Sequence, residues 1–91
     1  MISDGELIAL FNSPTRAMQA EKVLRQAGLA CRLIPAPREV AEGCALALRF
    51  TVADRTVVFQ KLAAAGAAPR RLYGKEQGIL TALALPLNEN R

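Results

Sequence analysis

Short apolar runs and longer amphipathic segments follow one another along the chain, which predicts strands and helices in succession. Residues 6–11 are mostly apolar, as in a buried strand. Ser13 and Pro14 are typical of a helix start, because serine caps the first turn and proline fits the first helical position. The apolar residues then recur at steps of three and four up to Ala27, and Gly28 ends the predicted helix.

The rest of the pattern predicts three more strands and a second helix. The strands cover residues 29–34, 46–52 and 67–73, and the helix covers residues 53–65. In the second strand Cys31 alternates onto the face of Leu29 and Leu33, so we expect it to be a small buried core residue. The apolar face predicted for the third strand comprises Leu46, Leu48, Phe50 and Val52.

The order strand, helix, strand, strand, helix, strand predicts an α+β fold of the ferredoxin-like βαββαβ type. Right-handed crossovers place both helices on one face of a four-stranded antiparallel sheet. We assign this domain to residues 1–74 and a tail to residues 75–91. The apolar residues 79–87 of the tail need a surface, which a fifth strand, a helix across the open sheet face or a second copy would supply. Among these we favour a homodimer.

The composition removes several kinds of chemistry. The 91-residue chain has no histidine, which excludes a histidine general base, a Ser-His-Asp triad and any zinc site that uses imidazole. Its two cysteines are too few ligands for a metal, and we expect neither a metal nor a cofactor.

Charge and hydropathy limit the partners. The net charge of +4 is scattered, and Arg70 and Arg71 are the only adjacent basic pair, so we expect no nucleic-acid binding. Residues 79–87 fall short of the ~20 apolar residues that span a bilayer, and no basic signal segment opens the chain. We therefore expect a cytoplasmic protein without a membrane role, in which both cysteines are reduced thiols.

The segment from residue 35 to residue 44, PAPREVAEGC, is the best candidate for a functional site. Pro35 and Pro37 stiffen the loop, Gly43 permits a sharp turn, and Arg38 could stabilise a thiolate on Cys44. The thiolate is the nucleophilic form of cysteine. The alternative is that Cys44 is a half-buried structural residue at the start of a strand.

This loop and the first helix together resemble a small bacterial family of selenium/sulfur carrier-like proteins over residues 7 to 73. The residues that carry the resemblance are Phe11-Asn12-Ser13-Pro14-Thr15, Ala17, Ala20-Glu21, Leu24, Gly28, Leu33-Ile34-Pro35-Ala36-Pro37-Arg38-Glu39, Cys44 and, in the strand after it, Arg49. The resemblance implies a cytosolic carrier of activated sulfur or selenium on Cys44, with donor and acceptor proteins as partners. Ala45 stands where the family usually has glycine.

Two functions from different classes therefore stay open. In one, Cys44 accepts a persulfide sulfur or its selenium counterpart and passes it on, and Arg38 and Arg49 favour the anion. Such a protein is a carrier rather than an enzyme with turnover. In the other, the domain is a regulatory or assembly module that binds a partner through its open sheet face or its tail, and Cys44 is structural.

Overall fold

The computed structural model of the chain describes residues 4–40 and 46–85. These residues form five strands and two α-helices. The elements are β1 (Glu6–Leu10), α1 (Pro14–Gln26), β2 (Arg32–Pro35), β3 (Leu46–Thr51), α2 (Arg55–Ala64), β4 (Arg71–Glu76) and β5 (Ile79–Leu83), with short 3₁₀ helices at Arg38–Val40 and Val52–Asp54. None of the described helices is both long enough and apolar enough to cross a bilayer.

The strands form one antiparallel sheet in the order β2-β3-β1-β4-β5. The predicted α+β class is confirmed, but the predicted number of four strands is wrong because the tail adds β5. Gln77 and Gly78 have φ values of 51° and 80°, which makes the two-residue turn that returns the chain from β4 into β5. The tail thus extends the sheet at its edge. The ferredoxin-like assignment stays a prediction.

Two strand boundaries differ from the sequence prediction because the preceding helices end with extra backbone hydrogen bonds. The N–H of Leu29 donates to the Leu24 carbonyl at 3.0 Å, and that of Ala67 donates to the Leu62 carbonyl at 2.8 Å. These bonds keep the chain turning where the pattern predicted extended strand. Pro35 is the last residue of β2, and a proline is tolerated there because β2 lies at the edge of the sheet.

The helices and the sheet enclose the main core, which we call the helix-side core. The buried residues of this core are Leu7, Ala9, Phe11, Ala17, Ala20, Leu24, Leu48, Phe50, Val58, Leu62 and Leu72. The start of α1 is well defined, since the Ser13 Oγ accepts the Arg16 N–H at 3.2 Å and caps the helix. Ala17, Ala20 and Leu24 of the predicted apolar stripe of α1 are buried, whereas Ala27 at its end is exposed.

The opposite face of the sheet is also apolar at its centre. Five buried residues there form what we call the open-face cluster: Ile8, Leu10, Ile34, Val40 and Ala47. Ala47 belongs to β3, so β3 is buried on both faces, whereas Val52 is 50% exposed in the 3₁₀ helix that follows. The predicted apolar face of β3 was therefore wrong at Val52, and the burial of Ala47 on the opposite face was not predicted. β1 lies at the sheet centre and is buried on both faces, as its composition predicted.

Candidate functional site

The segment from Pro35 to Val40, which we call the proline loop, folds back over the open face of the sheet. Pro35 is the last residue of β2 and pairs with Leu46, the first residue of β3. The Val40 N–H donates to the Pro37 carbonyl at 3.0 Å and closes a 3₁₀ turn. Val40 is only 6% exposed and packs in the open-face cluster. One apolar side chain therefore anchors the loop.

The charged residues of the proline loop point away from that anchor. Arg38 and Glu39 are exposed, while Pro37 is half-buried. Within residues 4–40 and 46–85, the Arg38 side chain has no hydrogen-bond or ion-pair partner. Arg38 is thus a solvated positive charge on a loop whose backbone is fixed by its prolines and by Val40.

The predicted nucleophile Cys44 lies outside the described residues, together with its neighbours Gly43 and Ala45. In the sequence it stands between Val40 and Leu46, which are both described. Val40 is buried in the open-face cluster, and Leu46 packs against the helix-side core. The described residues on either side of Cys44 therefore both pack in the body of the protein.

A groove of about 420 Å³ separates the proline loop from the β4–β5 hairpin. The residues that line it are Ile34, Pro35, Ala36, Pro37, Glu39, Lys75, Gly78 and Leu80. Sequence reasoning placed Pro35 and Pro37 at a candidate site but missed Lys75 and Leu80. The only signal for Leu80 was the apolar tail, which left the surface that the tail covers undetermined.

Arg49 does not join the proline loop. It lies three residues beyond Leu46 along β3, a distance of roughly 10 Å at the rise of a strand. Its Nε is 3.9 Å from Oε2 of Glu6, and its neighbour in β2 is Arg32. The described residues that line the cleft beside Arg49 include Cys31 but neither proline of the loop. Among the described residues, Pro35, Pro37 and Arg38 thus lie on the proline loop, and Arg49 lies apart from it.

Cys31 lies at that second place and is half-buried. It packs against the helix-side core, and its Sγ is 4.0 Å from the Glu21 carbonyl oxygen. Burial raises the pKa of the Cys31 thiol, and the Arg25 charge offsets part of that rise. A thiol with a raised pKa is a poor nucleophile near neutral pH. The expected core role of Cys31 fits this environment, although the residue keeps some exposure.

The comparison with protein families gives one match. A family model described as "Putative Se/S carrier protein-like" matches residues 6–74, which covers more than two thirds of the chain. The chain belongs to this family. The match extends from the start of β1 into β4 and includes the proline loop, while β5 lies beyond it. No curated protein and no solved structure matches the chain.

Proposed function

We propose that this Se/S carrier-like protein holds an activated sulfur or selenium atom on Cys44 and delivers it to an acceptor protein. The observation that carries the proposal is the family match over residues 6–74, which includes the proline loop and Cys44. Cys31 is the less suitable thiol, because burial raises its pKa.

The transfer is a thiol exchange that needs no external oxidant. The donor carries a persulfide group, R–S–S⁻, and the Cys44 thiolate attacks its outer sulfur. A new S–S bond forms on Cys44 while the donor S–S bond breaks, and the donor leaves as a thiolate. The acceptor thiolate then attacks the outer sulfur on Cys44 in the same way. Selenium in place of the outer sulfur follows the same balance.

The proline loop supports this chemistry through charge and rigidity. Arg38 carries a positive charge in the loop that leads to Cys44, and a nearby cation favours a thiolate over a thiol. Pro35, Pro37 and the buried Val40 limit the conformations of the loop. A fixed loop presents the same surface to a donor and to an acceptor, which both partners need in turn.

We assign the carrier role to residues 1–74 and a packing role to the tail from residue 75. The support is that the family match ends at residue 74, while β5 pairs with β4 and its Leu83 packs against the helix-side core. We also propose that a second copy of the chain binds at the β5 edge of the sheet. The protein would bind its donor and acceptor proteins in the cytoplasm, where Cys44 stays reduced.

Mass spectrometry of single-cysteine proteins tests the carrier role. Treatment of the Cys31→Ser protein with a small-molecule persulfide should add one sulfur atom, and peptide analysis should place it on Cys44. The matched Cys44→Ser protein should stay unmodified over the same time. Dithiothreitol should then release the added sulfur as sulfide. Equal modification of both proteins, or of neither, would contradict the proposal.

A further inference from the structure

Two arginines lie directly opposite each other at one end of the β2–β3 ladder. Arg32 pairs with Arg49 in the register of the two strands. Residues that pair in this way project to the same face, with Cβ atoms about 4.5–5.5 Å apart, and like charges in such a pair destabilise a sheet. The Arg49 side chain is only 23% exposed, so water screens its charge less than that of a surface residue.

The Glu6 carboxylate lies near the Arg49 guanidinium group. Oε2 of Glu6 is 3.9 Å from Nε of Arg49, which is longer than a hydrogen bond. Arg32, Arg49 and Glu6 are the charged side chains among the described residues that line the adjacent cleft, so two arginines and one carboxylate border it.

The cleft arises because β3 continues past the start of β2. β2 begins at Arg32, whereas β3 runs on from its partner Arg49 to Thr51. The space has a volume of about 380 Å³, and its remaining lining residues are Ala30, Cys31, Phe50 and Thr51. A water molecule occupies about 30 Å³ of liquid volume, so the cleft has room for a small polyatomic ion.

A third cation lies at the border of the cleft. Nη2 of Arg25 is 3.5 Å from the carbonyl oxygen of Cys31, and Nε of Arg25 is 3.1 Å from Glu21. Because the Glu21 carboxylate offsets the charge of Arg25, this pair adds little to the electrostatic potential in the cleft. The Cys31 thiol stays protonated near neutral pH, because burial raises its pKa, and it adds no negative charge.

We propose that this arginine cleft, lined by Arg32 and Arg49, binds a small oxyanion of the phosphate or sulfate class. Guanidinium groups bind such anions through two parallel N–H···O bonds, and an anion between two arginines replaces their repulsion with two attractive pairs. The cleft and its two arginines are the basis of the inference, which does not depend on Cys44 or on the carrier role.

Titration of the full-length protein with inorganic phosphate, followed by amide NMR, tests the inference. Chloride at matched ionic strength provides the baseline. The signals of residues 30–32 and 49–51 should shift and reach saturation. The variants Arg32→Gln and Arg49→Gln should each weaken the phosphate affinity about tenfold, the effect of losing one hydrogen-bonded charge pair. Arg16→Gln, which removes an exposed arginine from α1, should leave the affinity unchanged.

Thermal unfolding provides an independent measurement. Without phosphate, Arg32→Gln should raise the melting temperature slightly, because it removes the cross-strand repulsion. Phosphate should raise the melting temperature of the unaltered protein more than that of Arg32→Gln, because the variant binds it more weakly. The inference is overturned if shifts at residues 30–32 and 49–51 do not saturate, or if Arg32→Gln and Arg49→Gln bind phosphate as the unaltered protein does. A sulfate titration should give the same pattern.

Discussion

Pro35 and Leu46 form the last pair of the β2–β3 ladder, so the segment between them leaves and rejoins the sheet at one place. That segment contains Arg38 and Cys44. Because Val40 anchors its first half in the open-face cluster, the residues after Val40 connect a buried side chain to the first residue of a strand. In the sequence, only a few residues therefore separate Cys44, the proposed sulfur-carrying residue, from Val40 on one side and from Leu46 on the other.

Arg38 and Arg49 should differ in their effect on Cys44. Replacing Arg38 with alanine should shift the pH dependence of Cys44 alkylation upward, since a cation near the thiol favours the thiolate. Arg49→Ala is the matched control, because Arg49 lies beside Glu6 and Arg32 rather than on the proline loop. The measurement is the alkylation rate as a function of pH in a Cys31→Ser background. An unshifted profile for Arg38→Ala would show that Arg38 does not influence the Cys44 thiolate.

The two cysteines should react in a fixed order. Brief treatment of the native protein with iodoacetamide should label Cys44 before Cys31, because burial raises the pKa of Cys31 and limits access to it. Peptide mass analysis at several times measures the order. In denaturant the two rates should become similar. Faster native labelling of Cys31 would remove the chemical basis of the proposed carrier site.

Cys31 should also make the stability depend on pH in the alkaline range. Its pKa is raised in the folded protein, so the folded state holds the thiol proton more tightly than the unfolded state does. This contribution is present in full below the unfolded pKa and is lost as the pH rises from there through the folded pKa. Urea unfolding at a series of pH values should show a steeper alkaline decline for the unaltered protein than for Cys31→Ser. Parallel curves would contradict the prediction.

Val40 should anchor the proline loop. Val40→Ala removes two methyl groups from a side chain that is 6% exposed and should lower the free energy of unfolding by about 1–2 kcal/mol. Hydrogen exchange of the Val40 amide should accelerate, since that N–H depends on the turn with Pro37. Val52→Ala is the control, because Val52 is 50% exposed and should change the stability little. Equal effects of the two substitutions would argue against an anchor.

The β5 edge should bind a second copy. β5 has neither charge nor proline, whereas the opposite edge strand β2 has Arg32 and Pro35, which discourage further pairing. Light scattering of the full-length protein should give the mass of a dimer. Ile79→Lys places a charge on this edge at a side chain that is 66% exposed and should give a monomer, while Met18→Lys, on exposed α1 surface, should stay dimeric. A monomer at high concentration for the unaltered protein would contradict the expectation.

The sequence by itself determined the local elements and the chemistry that is available. Ser13, Pro14 and Gly28 set the bounds of α1, because capping and positive φ are properties of single residues. The absence of histidine excluded imidazole chemistry, and the PAPR segment before a cysteine indicated Cys44 as the candidate thiol. Only the tertiary structure decided which residues meet.

Strand register and the position of the tail are the clearest examples. The sequence could suggest that Arg49 favours the anion on Cys44, but only antiparallel pairing shows that Arg49 lies opposite Arg32 and Ile8. The apolar tail was compatible with a fifth strand, a helix across the sheet face or a second copy, and we favoured the second copy, since hydrophobic burial has no direction. The turn at Gln77 and Gly78 and the pairing with β4 place the tail at the edge of the sheet as β5. This pairing requires that β4 is itself part of the sheet, which depends on residues distant in the sequence.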